Sequence, residues 1–186
     1  MTQKGQTIRS FVVRICDVIT IREATKNDKT AVARIHVRSW QVAYRGLIAD
    51  EFLDQMEVDD RAARYTFGSG DASSTTAVAT ENGNLRGFVA FGPSREVDTP
   101  GTGEIFALYV DPDFWRQGIG TALMARGCAS LRAQSMSKAL LWVLEGNVLG
   151  ARFYESQGWV LDGSRRQDIV WGVNVNELRF ARSLKD

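Results

Sequence analysis

Cysteine, histidine and proline are scarce in this chain of 186 residues, which holds two, one and three of them. Cys16 and Cys128 lie far apart with no CxxC spacing, and His36 is the sole histidine. That leaves too few soft ligands for a zinc or iron–sulfur centre, and no disulfide framework, so no metal is expected. Two free thiols suit a reducing compartment, and a cytoplasmic location is the expectation. An excess of one charge is lacking too: 23 Lys and Arg against 22 Asp and Glu give a formal net charge of +1. Nothing electrostatic then points to nucleic acid or an anionic membrane as partner. No apolar run reaches membrane length; residues 11–21 come nearest, and Arg14 and Asp17 interrupt them without a small-residue cleavage site.

Hydrophobic residues make up 44% and charged residues 24%, which fits one well-cored domain. Residues 1–17 read as an N-terminal extension or added edge strand, and residues 18–186 as a single domain. A first strand is expected over 18–22. Thr25 and Asp28 are spaced like a capping box, and Val32, Ile35, Trp40 and Ala43 then recur at helical spacing. A second, less regular helical stretch covers 51–56 and 59–65. The period then changes to that of strands: 75–80 and 85–91 flank Glu81-Asn82-Gly83-Asn84, a hairpin turn. A strongly apolar strand, 104–110, stops at Asp111-Pro112. A glycine turn, a helix over 121–135, a strand over 139–144 and a helix over 147–157 follow, and Gly158 closes that helix. Residues 159–161 and 177–184 supply the last two strands. Strand, glycine turn, helix and strand make a crossover unit, hence locally parallel strands, whereas the hairpin requires an antiparallel part. The expected fold is a mixed α/β sheet with helices on both faces.

The chemistry-bearing segment is Trp115-Arg116-Gln117-Gly118-Ile119-Gly120. A helix N-terminus offers unpaired N–H groups and the positive end of the macrodipole to a phosphate. Gly118 and Gly120 let the backbone approach an anion, and Arg116 adds a cation. On its own the motif is unspecific: Leu123 stands where a dinucleotide fingerprint has its third glycine, and the Lys-Ser/Thr of a Walker loop is absent. A nucleotide-binding P-loop protein is therefore disfavoured.

Taken together, Glu104 through Pro112, the turn, Asn147, and Phe153-Tyr154-Glu155-Ser156-Gln157-Gly158-Trp159 resemble the GNAT (Gcn5-related) N-acetyltransferase family. Four motifs stand in the family's order across residues 19–184, and the 39–47 segment is similar to small bacterial members. One position departs: the family carries Gln or Arg first in its glycine motif, and here Trp115 stands there. The resemblance implies a twisted, mostly antiparallel sheet whose fourth and fifth strands are parallel and splay apart. It implies acetyl-CoA as co-substrate, its pyrophosphate on the amides of Gln117, Gly118, Ile119, Gly120 and Thr121, and its pantetheine arm along Leu108 and Val110. It also implies Tyr154 as the acid that protonates the departing thiolate and Glu104 as a candidate base, a role that many members give to a water chain.

The residues support part of this independently. Asn147, Gly150, Ala151 and Tyr154 share one helix face, so Asn147 can cap the helix and also meet the pantetheine. Cys128 lies on an apolar helix face and reads as core. His36 reads as a helix-packing residue. Trp40 and Tyr44, four apart on a helix, form either an aromatic wall of the acceptor site or part of the core. Acceptor specificity is expected from loops that include Trp40, Tyr44, Arg45 and the 165–173 segment. The function expected is direct transfer of an acetyl group to a primary amine of a small molecule or peptide N-terminus, with homodimerisation open. The competing readings are a catalytically idle acyl-CoA-binding module and a protein N-terminal acetyltransferase.

Overall fold

The computed structural model describes residues 19–67, 74–96 and 99–185. The expected extension, residues 1–17, lies outside the described residues, as do Cys16 and Val18. Seven strands form one sheet: β1 (Thr20–Glu23), β2 (Thr75–Glu81), β3 (Asn84–Pro93), β4 (Thr102–Val110), β5 (Lys138–Leu144), β6 (Val160–Val170) and β7 (Val173–Ser183). Their order is β1-β2-β3-β4-β5-β7-β6. Only β4 and β5 pair in parallel; every other neighbouring pair is antiparallel. The helices are α1 (Lys29–Ala43), α2 (Asp50–Asp54), α3 (Val58–Ala63), α4 (Ile119–Ala133) and α5 (Val148–Ser156).

Local chemistry accounts for the elements. The β2–β3 turn has Asn82 at φ 50° and Gly83 at φ 79°, the pair of left-handed residues that a two-residue hairpin needs. Ahead of α1, the Thr25 amide donates to Asp28 Oδ2 at 2.7 Å, and Arg22 donates to both Asp28 oxygens at 2.8 Å. The Arg22 hydrogen bonds hold the Asp28 carboxyl well below the usual carboxylate range. Alternation along the central strands decides which helix each side chain meets. Ala77, Ala79, Val89 and Phe91 meet Leu123, Met124 and Leu131 of α4 on one face. Val78 and Phe88 meet Val32 and Ile35 of α1 on the other. Each fully buried leucine or phenylalanine stabilises the fold by roughly 1.5–3 kcal/mol.

One expectation about the last strands is corrected. The 165–173 segment is not a loop: β6 and β7 form a long hairpin through Val170↔Val173. Its turn is Trp171-Gly172, with φ 56° and 88°. A tryptophan in the left-handed position costs about 1–2 kcal/mol. Its ring stacks on Trp40, centroids 4.1 Å apart at 16°, which offsets that cost.

Candidate active site

The pairing of β4 with β5 runs only from Thr102↔Lys138 to Ile105↔Leu141. Beyond that, residues 106–110 and 142–144 diverge while each strand keeps its antiparallel neighbour. The cause lies in β4: Ala90 pairs with Ala107 and Phe91 with Ile105, so Phe106 is an extra residue. Such a bulge bends its strand and increases the local twist. The Asp111 amide donates to Arg86 O at 2.8 Å. Antiparallel hydrogen bonding alternates, so Tyr109 and Ala107 also bond towards β3, and the backbone groups of Leu108 and Val110 turn to the open gap. The Val110 carbonyl is partly used there: Trp115 Nε1 donates to it at 2.8 Å and Ser39 Oγ at 3.0 Å. Leu108 thus offers the gap both of its backbone groups, and Val110 offers its amide.

The glycine turn is fixed from α1. Arg38 Nη1 donates to both Asp111 oxygens at 2.8 Å and Nη2 to Asp113 Oδ2 at 2.9 Å. Arg116 takes φ 61° and Gly118 φ 83°, and Gly118 is the N-cap of α4 with no side-chain cap bond. Ala122 N–H donates to Gly118 O at 3.0 Å, which leaves the amides of Ile119, Gly120 and Thr121 as first-turn donors without intrahelical partners. Ile119 itself is a core side chain at 1% exposure, so only its backbone is available here.

A cleft of about 610 Å³ follows the gap and is lined by Leu108, Val110, Arg116, Gly118, Gly120, Thr121, Asn147 and Tyr154. Asn147 is the N-cap of α5, and its Oδ1 accepts from the Gly150 amide at 2.9 Å. Burial pushes the Tyr154 hydroxyl up, and Tyr109 adds to the shift. Tyr154 therefore stays a protonated donor. Gln117 does not line the cleft; its side chain donates to Asp113 O at 3.4 Å.

A second cavity, of about 960 Å³, lies across the sheet between α1, α3 and the β6–β7 hairpin. The two cavities share Tyr44, Phe106, Ala107, Tyr109 and Trp142, so they meet at the gap. Trp40 and Tyr44 are in T-shaped contact at 4.9 Å. Both roles considered for Trp40 coincide: it is 4% exposed, within a core cluster, and lines the second cavity. Trp40 Nε1 donates to the Tyr109 hydroxyl at 2.9 Å. Glu177 supplies a carboxylate to this cavity; Arg166 Nε donates to its Oε2 at 2.8 Å. Burial raises the Glu177 pKa above the ordinary value, and the hydrogen bond from Arg166 opposes that. Glu104, the candidate base, lines neither cavity. It is 3% exposed, and its Oε2 accepts from the Arg95 amide at 3.1 Å, with the Arg95 guanidinium 3.6 Å from Oε1.

Residues 30–159 match the model of the acetyltransferase (GNAT) family. The chain belongs to that family. It is 31% identical over 130 residues to the uncharacterized N-acetyltransferase YuaI of Bacillus subtilis, covering 70% of this chain and 74% of the relative. A Mycobacterium tuberculosis protein named as an N-acetyltransferase is 28% identical over 168 residues, 87% of this chain and 92% of that one. Among solved structures, the PaiA N-acetyltransferase of Thermoplasma acidophilum, in complex with coenzyme A, superimposes with a TM-score of 0.67. It is 16% identical and the match covers 89% of this chain and 99% of that one.

Within this GNAT acetyltransferase, the second cavity includes Arg166 and Trp171 of the expected 165–173 segment, and His36, Arg61, Tyr65, Tyr109, Trp142 and Glu177 go beyond the sequence expectations. His36 is 4% exposed and stacks on Tyr109 at 4.3 Å. Its Nδ1 accepts from the Tyr65 hydroxyl at 2.6 Å and from Arg61 Nε at 3.2 Å. Burial first, and Arg61 second, drive its pKa well below the ordinary value, so the ring is neutral. Burial also raises Tyr65, to about 12.

Proposed function

We propose that the chain moves an acetyl group from acetyl-CoA to the primary amine of a small molecule, by direct attack in a ternary complex. The observation that carries this reading is the meeting of the two cavities at the β4/β5 gap, with Tyr154 on one side and Glu177 on the other. The pyrophosphate would lie against the first-turn amides of α4 beside Arg116, and the pantetheine arm against Leu108, the Val110 amide and Asn147. The coenzyme A bound in the Thermoplasma structure supports that choice of ligand. The amine reaches the thioester from the second cavity. The C–N bond forms as the C–S bond breaks, the Tyr154 phenol protonates the leaving thiolate, and the amine proton passes to Glu177 directly or through water. Glu104 is not needed as the base.

Two further features favour direct transfer to a small acceptor. Cys128 lines neither cavity, and burial raises its thiol, so it is not poised to carry an acyl group. Trp171 stacks on Trp40 and both rings line the second cavity, which suits it to a small acceptor with an apolar body. The test is free-thiol release from acetyl-CoA with a panel of amines. Tyr154→Phe should lower kcat about 100-fold while the acetyl-CoA KM changes little. An unchanged kcat would instead favour an idle acyl-CoA-binding module.

A further inference from the structure

The second cavity is lined by Arg61 of α3 and by Glu177 of β7, and their placement on different elements bears on the acceptor. Arg61 lines it with its guanidinium over two rings, 4.1 Å from the Trp171 centroid and 5.0 Å from that of Tyr65. Its Nε is committed to His36. Among the described residues its two Nη groups have no carboxylate partner. Arg64, three residues on, lines the same cavity, whereas Arg166 is paired with Glu177 and Asp168, and Arg95 with Glu104. Tyr65 also hydrogen-bonds the Arg61 guanidinium, and a guanidinium so held, with no carboxylate partner among the described residues, is suited to charge-assisted recognition of a carboxylate.

Glu177 is the second of the two groups. Both Arg166 contacts fall on its Oε2, so Oε1 remains to accept from an ammonium. The Tyr109 hydroxyl lies in the fields of both Arg61 and Glu177. Tyr44 instead senses Glu177 and Tyr154. Glu177 pairs with Leu144 on the diverging end of β5, beside the gap, whereas Arg61 is carried by α3. Beside them runs one aromatic wall, in which Trp40 stacks on Trp171, His36 on Tyr109, and His36 meets Trp171 at 4.6 Å.

We propose that the acceptor is an aromatic zwitterion, whose carboxylate is held by Arg61, whose flat body lies against the aromatic wall, and whose amine is presented at Glu177. This rests on the acetyltransferase reading of the same cavity. An ammonium bound at Glu177 reaches the gap with a proton acceptor already beside it, and the carboxylate anchor sets how deeply the molecule sits.

The test uses the full chain saturated with coenzyme A, which allows binding without turnover, and calorimetry with four probes. These are tryptophan, tryptamine (no carboxylate), tryptophan amide (carboxylate neutralised) and alanine (no aromatic body). Tryptophan should bind about 10- to 100-fold more tightly than each of the other three, as expected for one charge-assisted contact or one buried ring. In Arg61→Gln the gap between tryptophan and tryptamine should close, with the thermal midpoint recorded to exclude loss of fold. With acetyl-CoA, the same variant should raise the tryptophan KM by the same factor and leave kcat within a few-fold. Equal binding of tryptophan and tryptamine, equal binding of alanine, no binding of tryptophan, or a gap that survives Arg61→Gln would each overturn the inference. The two readings fail separately. Thiol release with amines regardless of carboxylate keeps the transferase and removes the zwitterion. Selective tryptophan binding without any thiol release does the reverse.

Discussion

His36 is the only histidine in the chain, and this makes its burial measurable. Its folded pKa lies well below the ordinary 6.5, because burial and the nearby Arg61 disfavour the imidazolium. Once unfolded it titrates near 6.5. Between those two values the unfolded chain binds a proton that the folded chain does not, so stability falls as pH falls. The contribution is fully present above 6.5 and is lost at up to about 1.4 kcal/mol per pH unit below it. Integrated from pH 7.5 to pH 5.5, the loss is about 1.4 kcal/mol, equivalent to a drop of about 3–6 °C in Tm for a domain of this size. Glu177 works in the opposite sense, because burial raises its pKa. Its contribution is present at low pH and is lost as pH rises through the raised value. The informative quantity is therefore the difference between wild type and His36→Gln, which keeps an acceptor for Tyr65 and Arg61 but does not titrate. Chemical denaturation at half-unit pH steps measures it. The two curves should converge by about 1.4 kcal/mol between pH 7.5 and 5.5. Parallel curves would mean that His36 becomes protonated inside the fold, and the buried-neutral assignment would be wrong.

Three other substitutions probe the donor side. Gly118 takes φ 83°, and a Cβ added there would meet no atom within 4 Å. Gly118→Ala should therefore lower stability by about 1 kcal/mol through backbone strain alone, and should weaken acetyl-CoA binding in calorimetry because the new methyl enters the phosphate's space. Trp115→Phe deletes the indole donor to the Val110 carbonyl, yet Ser39 still satisfies it. The cost in a denaturant titration should stay near 1 kcal/mol, and a loss of several kcal/mol would show that the indole anchors more than this bond. Cys128→Ala should retain turnover in the thiol-release assay. An abolished rate in a folded variant would revive an acyl-cysteine route.

The parts of the cleft proposed for the acetyl donor could be read from the sequence because they are local. The glycine turn, Asn147 as a cap and Tyr154 on the same helix face each follow from spacing within one turn or helix. Gly118 as N-cap leaves the first-turn amides without a side-chain cap, which suits the phosphate role proposed for them. Trp115, the departure from the family's pattern, has a structural explanation: its indole satisfies the outward carbonyl of Val110. The sequence could not show that, because the bond depends on how far the turn folds back over β4.

The second cavity, proposed for the acceptor, was legible only in Trp40, Tyr44 and the 165–173 segment, and the rest was hidden for a physical reason. Its charged strand, β6, alternates in burial from Ser164 to Val170, but the inward residues include Arg166 and Asp168. A strand whose buried face is polar shows no hydrophobic alternation, so periodicity reads it as a loop. Its turn was hidden because tryptophan, not asparagine, occupies the first left-handed position. His36 read as a packing residue because its partners, Arg61 and Tyr65, stand 25 and 29 positions away. The same long-range assembly lets Trp171, in a strained turn, face both Trp40 and Arg61. Strain held at a cavity wall is maintained only when the surroundings over-determine it. Here they consist of the cavity's own aromatic and cationic groups, so the features that hid the acceptor site from sequence reading also hold its wall in place.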